Sequence, residues 1–258
     1  MIRIVKIALF IPLIYIITIP FWLSSYYGSK PCSGIAVVIT DSADYNFVSR
    51  SLLYSLVLGN GEKLLGQPLK SISLDKIEKR VGDIRELRRA EVYLSIDGTL
   101  KVDVDQRDPL MRMIPDGGGD FFVDEDGVLI RRKNLYTPRL HIVGGNIPIS
   151  QAMLNGVSIL DTTIRHTILK DIFHFVKYIS GDDFWSAQID QIYVDPRQEI
   201  DLIPRVGNHK VHLGTFENFE GKLKNLAAFY VKVMPEVGWN KYSMINLEYR
   251  DQVVCKRR

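Results

Sequence analysis

The sequence predicts an α+β protein held behind one membrane-spanning helix, with two folded regions after it. Three observations predict this. A charge-free apolar run occupies residues 7–23 of the 258. Apolar residues at period 2 and period 3.6 then alternate in the order strand, helix, helix, strand, strand up to about residue 107. Beyond residue 115, short strand-like runs surround one long amphipathic stretch, the mixture expected of a largely antiparallel sheet with a long helix on it. At roughly 100–150 residues per domain, one or two domains are expected beyond the apolar run.

The apolar run is "IALFIPLIYIITIPFWL", from Ile7 to Trp22 and Leu23. Seventeen helical residues rise about 26 Å, near the short end of what spans a bilayer. Trp22, Tyr26 and Tyr27 stand where aromatic side chains favour the headgroup layer, and Pro12 and Pro20 are of a kind that transmembrane helices carry readily. A cleaved signal peptide is the competing reading. Against it, the run exceeds the usual 7–15 residues, and "SSYYGSKPC" holds no A-x-A-like cleavage site. Arg3 and Lys6 precede the run, so the positive-inside tendency keeps residues 1–6 in the cytoplasm and exports the rest.

Residues 24–34 read as a polar stalk. "IAVVIT" (35–40) reads as a strand, and Phe47, Val48, Leu52, Leu53 and Leu56 recur at helical spacing. Ser73 is placed to cap a shorter helix bearing Leu74, Ile77 and Val81. A hairpin follows. Its apolar sets, Val92 and Leu94 on one arm and Leu100, Val102 and Val104 on the other, share a face only if the loop is odd. A three-residue loop, Ile96-Asp97-Gly98, pairs Leu94 with Leu100 and Val92 with Val102. Asp108-Pro109 ends the second arm.

"PDGGGD" (115–120) marks a boundary, and "FFVDEDGVLI" (121–130) reads as strand, acidic turn, strand. The spacing of Ile164, Ile168, Ile172, Val176 and Ile179 predicts a helix over 161–180, capped by Asp161 or Thr162 and followed by Gly181. "SAQIDQIYV", "EIDLIPR" and "HKVHLGT" read as strands. Leu223, Leu226, Ala227 and Tyr230 form a helix up to Pro235, and "YSMINLEYRDQVVCKRR" is strand-like almost to its end.

Charge excludes one class of function. Of 33 basic residues, Arg3 and Lys6 precede residue 24, leaving 31 against 30 acidic ones. So neutral a body has no footprint for nucleic acid. The chemistry-bearing residues are sparse. Asp97, Asp103, Asp105 and Asp108 crowd the hairpin, but Lys101 and Arg107 flank them and no histidine completes a ligand set, so a solvated face is favoured. "DEDG" at 124–127 starts like a calcium loop without its downstream glutamate. His166 and His174 lie two helical turns apart, and His209 and His212 take opposite faces of a strand. "GGNIP" and "DGGGD" lack the context of phosphate loops, no G-x-S-x-G occurs, and Cys32 has no activating base nearby. With Cys255 at the other end of the chain, an unpaired state is expected for both thiols. No cofactor or metal is implied.

The element order over 35–107 directly after a membrane anchor resembles a POTRA domain. The whole chain resembles the FtsQ/DivIB family of bacterial cell-division proteins, particularly its Bacteroidetes members. The residues carrying this are "LRRAEVYLSIDGTLKVDVDQRDPLMRM" (87–113), "FFVDEDGVLI", "IYVDPRQEIDLIPRVGNHKVHLGT" (192–215) and "YSMINLEYRDQVVCK" (242–256). The resemblance implies a tail at 1–6, an anchor at 7–23, a stalk at 24–34, a POTRA domain at 35–112 and a β domain at 113–256. It implies a non-enzymatic, single-pass type II protein of the inner membrane with periplasmic domains at the division septum. Such a protein binds FtsB- and FtsL-like partners and through them regulates septal peptidoglycan synthesis.

In the family, a late strand of the β domain is the open edge that the partner extends. The matching positions are Ile245, Leu247, Tyr249, Arg250, Asp251, Gln252 and Val254, with Tyr249 aligning with a family tyrosine. Ile245, Leu247 and Tyr249 alternate as an edge strand packed on one face would, and the nearby charges discourage indiscriminate pairing. An ordinary final strand paired within its own sheet is the alternative. Asp251 stands where better-known members carry a small polar residue, and the cytoplasmic tail is unusually short. Two other functions rank behind: a POTRA-bearing envelope assembly or secretion factor, and a secreted metal-dependent hydrolase using Asp103, Asp105 or the 124–126 turn.

Overall fold

A computed structural model describes residues 27–40, 47–59, 61, 63–132, 138–165, 167–249 and 252–258. The expected tail and anchor, with Ile7, Trp22 and Leu23, lie outside these residues. Among the described residues, no helix is long and apolar enough to cross a membrane. The chain divides into two compact units, Met1–Gln106 and Arg107–Arg258.

In the first unit, β1 (Gly34–Ile39) is followed by α1 (Arg50–Leu58), α2 (Leu74–Gly82), β2 (Leu87–Leu94) and β3 (Thr99–Gln106). β3 is central, antiparallel to β2 and parallel to β1. The hairpin has the register that side-chain parity demanded. Leu94 pairs with Leu100 and Val92 with Val102, and Gly98 turns the chain at φ 88°. Leu100, Val102 and Val104 therefore enter one core with Leu53 and Val57 of α1 and Ile77 and Val81 of α2.

Ser49 caps α1, its hydroxyl accepting from the Leu52 amide at 3.3 Å. Leu52 itself is 45% exposed. The buried face of α1 runs through Leu53 and Val57, so the apolar stripe is narrower than the residue pattern suggested. A buried polar side chain fixes the approach to this helix. Gln106 Oε1 accepts from the amides of Phe47 and Val48 at 3.0 and 3.1 Å, tying the end of β3 to the chain entering α1.

The second unit begins earlier than the expected boundary at 112/113, because β4 (Pro109–Pro115) is already a strand of its sheet. The remaining elements are β5 (Phe121–Asp124), β6 (Leu129–Arg131), β7 (His141–Gly145), α3 (Gln151–Leu154), α4 (Ile168–Ser180), α5 (Asp183–Gln188), β8 (Ile189–Val194), β9 (Ile200–Pro204), β10 (Lys210–Gly214), α6 (Phe219–Lys232), α7 (Met234–Val237), β11 (Tyr242–Asn246) and β12 (Val254–Arg257). Nine strands form one sheet in the order β12-β11-β10-β9-β8-β7-β4-β5-β6. The sheet is mixed. β4–β7, β7–β8 and β10–β11 are parallel, and the other neighbours are antiparallel. Parallel neighbours need crossovers: α4 with α5 supplies that from β7 to β8, α6 that from β10 to β11, and the β5–β6 hairpin lies between β4 and β7 in the chain.

The long helix starts at Ile168 rather than 161. Asp161 accepts from the Thr163 amide and hydroxyl at 2.8 and 2.7 Å, closing a separate turn, while Ile164 is buried ahead of the helix. Likewise the first residues of "SAQIDQIYV" finish α5, which Asp182 caps by accepting from the Phe184 and Trp185 amides. Ile172, Phe173, Phe175, Val176 and Ile179 of α4 bury against Val143, Ile192, Leu202, Val211 and Ile245 of the sheet. Each such side chain contributes roughly 1.5–3 kcal/mol. The expected helix through Leu223, Leu226 and Tyr230 is α6, and all three are buried.

Candidate functional site

Two carboxylates of the first hairpin, Asp97 and Asp103, bond within it. Asp97 Oδ1 accepts from the Thr99 amide at 3.0 Å, shaping the turn, and this bond holds its carboxyl below the usual range. Asp103 accepts from the Tyr93 hydroxyl at 2.8 Å across the ladder. Asp105 faces Arg89, and Asp108 belongs to the second unit. The 124–127 turn is stapled from within. Asp124 accepts from Arg107 at 2.6 Å and from the Val128 amide at 2.6 Å. Among the described residues no group of three or more histidine, cysteine or acidic side chains is arranged to hold a metal ion.

Of the histidines, His166 lies outside the described residues, and His174 sits on α4 with its ring edge-on to Phe173. His209 is buried, 2.9 Å from the Tyr230 hydroxyl, and burial lowers its pKa. His212 is 2.8 Å from Asp201 Oδ1, with Glu199 and Glu248 carboxylates at 3.8 and 3.9 Å. In "GGNIP", Gly145 takes φ 104°, and a Cβ there would meet the Val194 carbonyl oxygen at 2.0 Å. That glycine serves the close approach of β7 to β8. Both cysteines are free thiols, and burial raises the Cys255 pKa, so this sulfur is not activated.

The unabsorbed feature is the end of the sheet. α6 delivers β11 parallel to β10, so β11 is an interior strand, flanked by β10 and β12. Ile245 is 0% exposed and Leu247 2%. The stretch 245–254 is therefore not one strand. It comprises the end of β11, a turn, and the first residue of β12. The Gln252 amide donates to the Tyr249 carbonyl at 3.3 Å, and the Glu248 amide donates to Asn246 Oδ1 at 2.8 Å. Of the expected contact residues, Tyr249 is 54% and Val254 46% exposed, and Gln252 is also exposed. Arg250 and Asp251 lie outside the described residues.

β12 is the last strand at this end, and among the described residues no strand pairs with its outer side. The direction of its backbone groups can be worked out. The Leu247 amide donates to the His212 carbonyl of β10 at 2.9 Å, so Ile245 and Leu247 point their backbone groups at β10. Met244 and Asn246 then point theirs at β12, where they face Lys256 and Val254. By alternation, Cys255 aims its N–H and C=O outward. Its side chain packs against the core, while Lys256 and Arg257 are exposed. At the far end Ser243 makes a bulge, its hydroxyl lying 3.2 and 3.3 Å from the carbonyls of Lys256 and Arg257.

Beside the turn lies a cleft of about 940 Å³, lined by Leu247, Glu248 and Tyr249 together with Thr215, Asn218 and Lys222. Lys222 Nζ donates to the Leu213 and Thr215 carbonyls at 2.9 and 2.8 Å. Burial lowers its pKa, and the charges of Glu217 and Glu248 oppose that shift. Chemically this end offers backbone donors and acceptors, an exposed aromatic ring and a polar hollow. It is suited to holding an extended chain.

Two family models match the sequence. One, described as a POTRA-like domain, matches residues 30–105. The other, described as FtsQ/DivIB, C-terminal related, matches 108–256, more than half of the chain. The chain belongs to the FtsQ/DivIB family. No curated protein matches it. The two matches meet on either side of the Gln106/Arg107 break in this FtsQ/DivIB-family chain, and the second takes in β11 and nearly all of β12. Membership points to a role in cell division, exercised through division proteins at a membrane site by a typically non-catalytic scaffold.

The sequence reading took 242–258 as one strand-like run, so it missed the reversal that makes Val254–Arg257 a strand of its own, and missed the cleft beside it. "LEYRDQVV" contains neither glycine nor proline to announce a reversal. Moreover Ile245, Leu247, Val253 and Cys255 all contribute to the core, so apart from Asp251 the odd positions stay apolar or aromatic, and the alternation resumes in phase after it.

Proposed function

We propose that this chain is a non-enzymatic scaffold of the division machinery, and that it binds an FtsB/FtsL-like partner by accepting an extended segment as a further strand on β12. The observation carrying this reading is the end position of β12, whose outward backbone groups have no strand beside them among the described residues. Added strands gain affinity from main-chain hydrogen bonds and specificity from alternate side chains. Tyr249 and Val254 stand ready at the start of that edge, exposed as such contacts require. The apolar run 7–23 anchors the protein in the inner membrane as a single-pass type II protein with its body in the periplasm, and binding is relayed to septal peptidoglycan synthesis.

Depletion in cells tests the role: filaments with arrested septa support a scaffold, and loss of outer-membrane proteins with normal septation supports an assembly factor instead. Tyr249→Glu tests the surface. Loss of partner co-purification from a protein with unchanged thermal unfolding supports the edge, and full recovery of the partner places docking elsewhere.

A further inference from the structure

We infer that the hairpin tip of the first unit is a second membrane contact, dipping into the headgroup layer of the bilayer that the 7–23 run enters. This rests on the anchor reading above and goes beyond it. The argument begins with how the stalk is fastened. The Ser33 amide donates to the Gly98 carbonyl at 3.0 Å and its hydroxyl to the Asp97 carbonyl at 3.2 Å. On its other side, Cys32 exchanges bonds with the 64–70 loop: its amide donates to Gln67 at 2.8 Å, and its carbonyl accepts from Gly66 at 2.9 Å. The Leu69 amide reaches the Lys30 carbonyl at 2.9 Å. Residues 27–34 are thus pinned between the hairpin turn and this loop, and in the sequence Tyr27 follows the apolar run by four residues.

What this end presents is unusual for a surface in water. Ile96, at the tip of the β2–β3 turn, is 78% exposed, Leu65 is 58% and Tyr27 is 39% exposed. A groove of about 420 Å³ runs between Tyr27 and Ile96, lined also by Leu69, Lys70 and Leu94. Lys30 Nζ lies 4.5 Å from the Tyr27 ring centre, and Lys63 and Lys70 are exposed on the same loop. Aliphatic tips, a tyrosine ring and lysines on long stems form the set that partitions into a headgroup layer, the ammonium groups reaching phosphate while the stems stay apolar. Among the described residues of the 95–99 turn Asp97 is the one acid, and its carboxylate is folded onto the Thr99 amide.

The test uses the full chain reconstituted in vesicles, with a polarity-sensitive fluorophore on single cysteines in a Cys255→Ser background; Cys32 is buried and shielded. Labels go on Ile96→Cys, on Ile14→Cys within the apolar run, and on Arg89→Cys toward the far end of β2. Ile96 and Arg89 side chains are exposed, so the fold tolerates both changes. Blue-shifted emission and quenching by brominated lipid at positions 96 and 14 but not 89 is the expected result. Quenching at 14 with an aqueous signal at 96 overturns the inference and leaves the anchor intact. An aqueous signal at 14 removes the anchor reading, and the inference with it.

Discussion

Replacing Cys255 by proline separates partner binding from folding more cleanly than any other single change at this edge. Alternation along β11 and β12 directs the Cys255 N–H outward, so proline removes no bond to β11. The ring is also close in size to the half-buried thiol. Folding stability should therefore stay within about 1 kcal/mol of the parent. Binding should not. An incoming strand loses one net hydrogen bond of roughly 1 kcal/mol, and its own carbonyl is held off and left unpaired at about 1–3 kcal/mol. The expected loss is about 2–4 kcal/mol, or roughly thirty-fold to a thousand-fold in Kd. Calorimetric titration of the full chain with the proposed FtsB-like partner measures this, alongside thermal unfolding. Val254→Pro is the opposing control: Val254 faces Asn246 in a bonded pair, so that variant should lose stability. Unchanged affinity in a stably folded Cys255→Pro variant would refute strand addition at β12.

Three further outcomes follow from burial. Leu247→Ala removes a side chain 2% exposed and should cost about 2–5 kcal/mol of stability, read by urea denaturation, because its role is to fill the core. Gln106→Leu leaves the Phe47 and Val48 amides without their acceptor and should destabilise the first unit by roughly 1–3 kcal/mol, seen as an earlier transition in hydrogen exchange of residues 47–58. His141 and His209 both have folded pKa values lowered by burial from 6.5. The unfolded chain then binds protons that the folded chain refuses, so their contribution is complete above about pH 6.5 and is lost as pH falls toward the folded values. Thermal midpoints from pH 8 to 5 should decline less in a His141→Gln, His209→Gln double variant than in the parent.

What the sequence disclosed, and what it withheld, divides along the reach of each signal. The first hairpin was readable to the residue because strand parity and one glycine leave a single workable loop. The α4 stripe was readable, yet its start was misplaced by seven residues: Asp161 looks like a cap and is one, though for a turn bonded to Thr163. The unit boundary was placed late since glycine-rich "PDGGGD" outweighs Pro109 as punctuation, although Pro109 begins β4. The terminal hairpin was invisible for a different reason. A reversal that keeps apolar phase on both sides and uses neither glycine nor proline gives a pattern reading little to stop on, and the pairing of Ile245 with Cys255 reveals it.

That silence bears on function. An open sheet has two ends, and both must resist random association while, on the proposed function, one takes a partner. β6 has three residues, ends on Arg131, and is too short to template much. β12 has four and carries Lys256 and Arg257, so a strand of arbitrary sequence meets two cations and few bonds. The deficit must be made up by contacts beyond the strand. Tyr249 and the cleft beside it lie just before β12 in the chain, on the turn that brings the backbone round. A partner extending past Val254 toward Tyr249 would gain the ring and the hollow as well as the ladder. On this logic the turn supplies selectivity and the strand supplies alignment, so Tyr249→Glu and Cys255→Pro should each weaken capture. Combining them should cost less than the sum of their separate effects, since the second loss acts on a segment that already docks more weakly.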